Sequence, residues 1–94
     1  MIQTDFNQLI HAPNRLQICA LLASAASFEF AVVKEHLGVS DSVLSKHIKS
    51  LEEAGYVDHE KRLVSGRQRT WLSLSNKGRV AFDNHVKALK SIVG

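Results

Sequence analysis

The sequence contains a single cysteine, Cys19, and a single proline, Pro13. One cysteine excludes an internal disulfide and a cysteine-rich zinc site. No run approaches the roughly 18 consecutive apolar residues that a membrane-spanning helix needs. The start, "MIQTDFNQLIHAPNR", has no basic segment leading into an apolar one, so no secretory signal is expected. Glycine-rich phosphate loops, nucleophile motifs and supported carboxylate pairs are also missing, which argues against an enzyme and against a cofactor. The five histidines, His11, His36, His47, His59 and His85, are scattered without close ligand spacing, so no metal is expected. Repeats, low-complexity runs and linkers are absent. The expectation is one cytoplasmic domain spanning residues 1–94.

What is present is a chain of ordinary globular composition, 45% apolar and 22% charged. At 94 residues it can bury roughly 60–65% of its surface, enough for a modest core. The net charge of +3 is mild, but its distribution is not. Lys61, Arg62, Arg67 and Arg69 fall in nine residues without an acid, and Lys46, Lys49, Lys77 and Arg79 lie on either side. Local basic patches of this kind suit a polyanion.

The stretch "SDSVLSKHIKSLEEAGYV" (40–57) sets the frame. Ser40 is a good N-cap, Asp41 complements the helix dipole, and Gly55 is a natural stop, which predicts a helix over 41–54. Leu44, Ile48 and Leu51 form its core stripe. Ser42, Ser45, Lys46 and Lys49 lie opposite. Just before it, "FEFAVVKEHLG" places Phe30, Val33 and Leu37 at helical spacing and ends at Gly38. Two helices joined by so short a glycine-containing turn make a helix-turn-helix. Upstream, "DFNQLI" reads as a short helix or lead-in. "NRLQICALLASAA" (14–26) is helix-favouring and apolar on nearly every side, which suggests a second burial against another subunit.

After Gly55 the period changes. "YVDHEKRLV" (56–64) and "RTWLSL" (69–74) alternate as strands do, with "SGRQ" supplying a hairpin turn at Gly66. Ser75 then caps a helix over 76–93, whose first turn Gly78 weakens a little. Phe82, Val86, Leu89 and Val93 form an apolar ridge along it, more than a terminal helix on so small a core needs. The order α-α-α-β-β-α is the winged helix-turn-helix plan. The fold class is α+β, mainly α: a three-helix core, a two-stranded wing over 56–74 and a C-terminal dimerisation helix.

"LSKHIKSLEEAGYV", the basic hairpin and "RTWLSLSNKG" together resemble the DNA-binding domain of small MarR-like transcriptional regulators. The resemblance runs from about Asp5 to the end. It is carried most specifically by Leu44, Ser45, Lys46, His47, Leu51, Gly55 and Tyr56, then by Thr70, Leu72, Leu74 and Gly78. It implies sequence-specific binding of double-stranded DNA, usually by a homodimer and usually as a repressor. It allows a small-molecule effector, which no residue here marks. Metal-sensing relatives of the ArsR kind share this fold but show paired cysteines or spaced His/Asp ligands, absent here.

The residues support the same partner independently. Ser42, Ser45 and Lys46 are expected nearest the bases and Lys49 nearer phosphate. Lys61, Arg62, Arg67 and Arg69 are expected to place the wing along phosphates or in a narrow minor groove. Arg15 and Lys34 are secondary phosphate candidates. Phe82, Val86, Leu89 and Val93 are expected to pair two copies, setting their reading helices about one DNA turn (~34 Å) apart on a near-palindromic operator. His47 reads as a packed or hydrogen-bonded side chain and Cys19 as a small core residue, since redox sensing needs an exposed, acidic thiol. Trp71 belongs to the wing core or to a pocket wall, the core being simpler. The rival function is a winged-helix protein-interaction module that does not touch DNA.

Overall fold

The computed structural model describes residues 6–94. Asp5, where the resemblance begins, lies outside them. The elements run α1 (Gln8–His11), α2 (Arg15–Leu22), β1 (Phe28–Glu29), α3 (Phe30–Leu37), α4 (Asp41–Glu53), β2 (Val57–Val64), β3 (Arg67–Leu74) and α5 (Asn76–Val93). The three strands form one antiparallel sheet in the order β1-β3-β2. The expected two-stranded wing thus has a third strand at its root, with Phe28 opposite Leu72 and Glu29 opposite Trp71.

The helix-turn-helix frame forms as its end signals require. Ser40 Oγ accepts from Val43 N–H at 3.2 Å, and Gly38 makes the turn from α3 at φ 69°. At the other end Gly55 N–H donates to Glu52 O and Tyr56 N–H to Leu51 O, both at 2.9 Å. This pair of bonds closes the helix and aims the chain into β2. Leu44, Ile48 and Leu51 are buried with Ile10, Ile18, Cys19, Leu22, Val33, Val57, Leu72 and Leu74 in one cluster.

The helix expected over 14–26 is shorter, ending at Leu22. Its second apolar side is covered from within the chain: Leu16, Leu21 and Ala23 pack on the same cluster, and Arg79 donates to the carbonyls of Ala23 and Ala25 at 3.3 Å. A subunit contact is not needed to explain it. Cys19 is buried, and burial pushes its thiol up to about 11, far from the acidic thiolate of a redox sensor.

α5 begins where expected, with Ser75 Oγ accepting from Gly78 N–H at 2.9 Å. The expected mild weakening at Gly78 is instead a packing requirement: a Cβ there would lie 2.1 Å from Tyr56 O. The buried stripe of α5 is Gly78, His85 and Ala88. His85 is the one buried polar side chain among the described residues. Asn7 N–H donates to its Nδ1 at 2.9 Å, so the neutral ring carries its proton on Nε2, facing His11 Nδ1 at 3.1 Å. Asn7 also caps α1 at Ile10 and reaches Tyr56 OH at 2.9 Å, tying both ends of the chain to the middle.

This pairing has a pH signature. Burial, and then the adjacent His11, hold His85 below the ordinary histidine value, and burial, Arg15 and Lys46 do the same to His47. The unfolded chain therefore takes up these protons before the folded one does. Stability is fully retained above about pH 6.5 and falls as the pH drops through that value, by at most about 1.4 kcal/mol per pH unit for each proton. Urea titrations between pH 7.5 and 5.5 should show this fall, and His85→Gln should remove its one-proton share of the slope. An unchanged slope would contradict the His85 assignment.

Candidate nucleic-acid interface

At 100° per residue the stripe Leu44, Ile48 and Leu51 fixes which side of α4 faces away from the core. Ser42, Lys46, Lys49 and Glu53 fall within a narrow arc opposite it, and all four are exposed. Lys46 and Lys49 have no ion-pair partner among the described residues. Ser45 lies to one side of this arc, toward the wing. It borders a cleft of about 320 Å³ with Glu52, His59, Lys61 and Thr70. His59 is paired with Glu52 across that cleft, linking β2 to α4.

On the other flank Arg15 donates to Leu9 O at 2.6 Å and to His47 Nδ1 at 3.3 Å. His47 is thus hydrogen-bonded, and its lowered basicity keeps the ring neutral beside Lys46. Lys34 is joined to Asp41 at 2.9 Å across the helix-turn-helix corner. The two secondary phosphate candidates are therefore engaged in holding α4 in place. An exposed pair such as Lys34–Asp41 contributes at most about 1 kcal/mol.

The hairpin turn is tighter than the four-residue "SGRQ" suggested. β3 starts at Arg67, and the turn is Ser65-Gly66 alone, with φ of 52° and 77°. Positive φ at both positions makes a type I′ turn, whose twist matches the strands. The register pairs Lys61 with Thr70, Arg62 with Arg69, and Val64 with Arg67.

Alternation along the strands then separates the four wing cations. Lys61 shares the face of Val57, Leu72 and Leu74, the side that meets α4. Arg62, Arg67 and Arg69 project from the other face. There Arg62 lies over the Trp71 ring at 5.0 Å and is paired with Glu60 at 2.6 Å. Arg69 is paired with Glu29 at 2.8 Å. Arg67 is exposed and has no ion-pair partner among the described residues. Trp71 is half-buried, with its indole N–H lacking a hydrogen-bond partner among the described residues.

The structure therefore brings together Ser42, Ser45, Lys46, Lys49 and Lys61 on one side of the molecule. Arg67 stands at the wing tip, and Arg62 and Arg69 are committed to acids on the back of the hairpin. Val43, which no sequence signal marks, is 39% exposed beside Ser42 and Lys46. No group of three or more potential ligands among the described residues is placed to hold a metal ion. No helix among them is long and apolar enough to cross a membrane.

A family model described as a winged helix DNA-binding domain matches residues 14–93. An uncharacterized protein of Methanocaldococcus jannaschii is 41% identical over 81 residues, covering 86% of this chain and 84% of its own length. Among solved structures, a transcriptional regulator homologue from Pyrococcus horikoshii superposes with a TM-score of 0.86 at 24% identity, over 93% of this chain and 86% of that one. The PcaV transcriptional regulator of Streptomyces coelicolor, solved with its natural ligand, superposes with a TM-score of 0.77 at 18% identity, over 94% of this chain and 61% of that one. A MarR-family regulator from Silicibacter pomeroyi gives 0.71 at 19% identity, over 88% and 55%. The chain belongs to the family of winged helix DNA-binding domains, and its fold is that of the MarR-like transcriptional regulators.

Proposed function

We propose that this protein is a homodimeric, sequence-specific repressor that reads a near-palindromic operator in double-stranded DNA. The observation that carries the reading is the pair Lys46 and Lys49, without ion-pair partners among the described residues, on the outward arc of a capped helix beside a cleft that also holds Lys61. Such a helix fits a major groove with its ammonium groups reaching guanine acceptors and phosphates. The wing follows the backbone at the groove's edge, led by Arg67. Phe82, Val86 and Leu89 are half-buried on one flank of α5, and beyond them Ile92 and Val93 are 60% and 85% exposed. A second copy laid along this flank would cover it and set two reading helices on one side of the duplex. Bound across a promoter, such a dimer excludes polymerase. A cytoplasmic address goes with that role.

Selection of bound fragments from random duplex DNA tests the proposal. A symmetric enriched motif with half-sites one helical turn apart is the expected result, together with a dimer in sedimentation. No enrichment would replace it with the protein-interaction module.

The wing makes a separable prediction. Arg67→Ala should weaken binding to all sequences alike and flatten the plot of log affinity against log salt by roughly 0.9. An anisotropy titration across salt concentrations measures it, and an unaltered slope would remove Arg67 from the interface.

A further inference from the structure

We infer that Val43 reads the methyl group of a thymine in each half-site, making it a specificity-determining residue of the DNA-reading proposal on which this inference rests. The exposed positions of α4 carry hydroxyl or charged groups with one exception, Val43. Exposure alone carries little meaning, since Val32 and Val80 are more exposed on helices outside the reading position. Folding gives no reason for the side chain: Val43 lies outside the core cluster, and valine is a weaker helix former than alanine or lysine.

Its surroundings supply the reason. Val43, Ser42, Lys46 and His47 line one shallow concavity of about 290 Å³ in the first turns of the helix, the part of a reading helix that contacts base edges. His47, in the same lining, has its ring held by Arg15. The concavity thus sets one apolar side chain, Val43, beside a cation, Lys46.

Among the base edges exposed in a major groove, the one projecting apolar substituent is the C5 methyl of thymine, set among hydrogen-bond donors and acceptors. An apolar side chain pressed against a hydrogen-bonding edge would leave that edge unsatisfied, and against a methyl it loses nothing. Lys46, one turn on, then faces the neighbouring base pair, where guanine offers two acceptors to an ammonium group. Each half-site should carry a thymine beside a guanine.

The test replaces each thymine of the selected operator, in turn, by deoxyuridine, which removes only the methyl. Wild-type affinity should fall roughly three- to fivefold at one thymine per half-site, the loss expected for one buried methyl. In Val43→Ala, thymine and uracil should bind equally at that position, while other positions behave as in wild type. Thermal melting of the variant should be no lower than that of wild type, because the side chain is outside the core and alanine is the better helix former. A uracil series without loss at any position overturns the inference. So does a loss that persists unchanged in Val43→Ala, since another residue then reads the methyl. If no duplex is enriched at all, DNA reading itself fails and the thymine contact falls with it, an outcome distinct from an enriched site with a flat uracil series.

Discussion

Gly78→Ala should cost about 3 kcal/mol of folding stability, at the severe end of overpacking effects. In a domain of this size each kcal/mol moves the melting midpoint by about 4–8 °C, so a fall of roughly 12–24 °C is expected. The reason is backbone against backbone. The added methyl would meet Tyr56 O at 2.1 Å and the Tyr56 carbonyl carbon at 2.9 Å. Neither atom can retreat freely. Tyr56 O accepts from Ser75 N–H at 2.9 Å, and Tyr56 N–H is committed to Leu51 O at the end of α4. Ser75 Oγ also donates to Gly55 O at 2.5 Å. The joint between α4 and β2 and the joint between β3 and α5 are thus one knot, with Gly78 at its centre. Val80→Ala, on the exposed side of the same helix, should change stability by no more than about 0.5 kcal/mol. Similar melting of wild type and Gly78→Ala would show that α5 does not approach Tyr56 this closely.

Replacing Lys46 and Lys49 together by alanine should lower operator affinity on the order of 10²-fold, as the loss of two cationic contacts implies. The single variants should differ in kind. Lys46→Ala removes a group beside the first turns of α4 and should relax the preference at one base pair. Lys49→Ala, one turn farther along, should weaken all duplexes equally and reduce the salt slope by roughly 0.9. Both side chains are exposed, so melting should be unchanged and the loss is assignable to binding. Competition titrations against single-base operator variants separate the two. Undiminished binding by the double variant would mean that α4 is not the reading element.

Much of the frame was legible because its signals are local. Ser40 and Ser75 cap the helices they were expected to cap, Gly38 and Gly55 stop theirs, and the stripe of α4 is buried as its spacing requires. What was missed depends on partners distant in sequence. β1 is two residues long and exists only through its pairing with Leu72 and Trp71. The alanine-rich stretch after Leu22 favours helix, yet α2 ends there and Arg79 takes up the carbonyls of Ala23 and Ala25. His85 does not read as core, because the groups that satisfy it, Asn7 N–H and His11, lie at the opposite end of the chain.

The candidate interface divides in the same way. The outward arc of α4 followed from helical period for Ser42, Lys46 and Lys49, whereas Ser45, expected among them, lies to one side. The separation of Lys61 from Arg62, Arg67 and Arg69 follows from strand alternation, but adjacency in sequence made the four look like one patch. Nothing local could show that Arg69 would be held by Glu29 or Arg62 by Glu60.

The Arg69–Glu29 pair has a mechanical consequence. Glu29 is the residue from which α3 starts and belongs to the strand paired with β3. The root of the finger is thereby anchored to α3, the helix that precedes α4. On the proposed reading, the spacing of α4 from that root is a built-in ruler that sets the groove dimensions a duplex must offer.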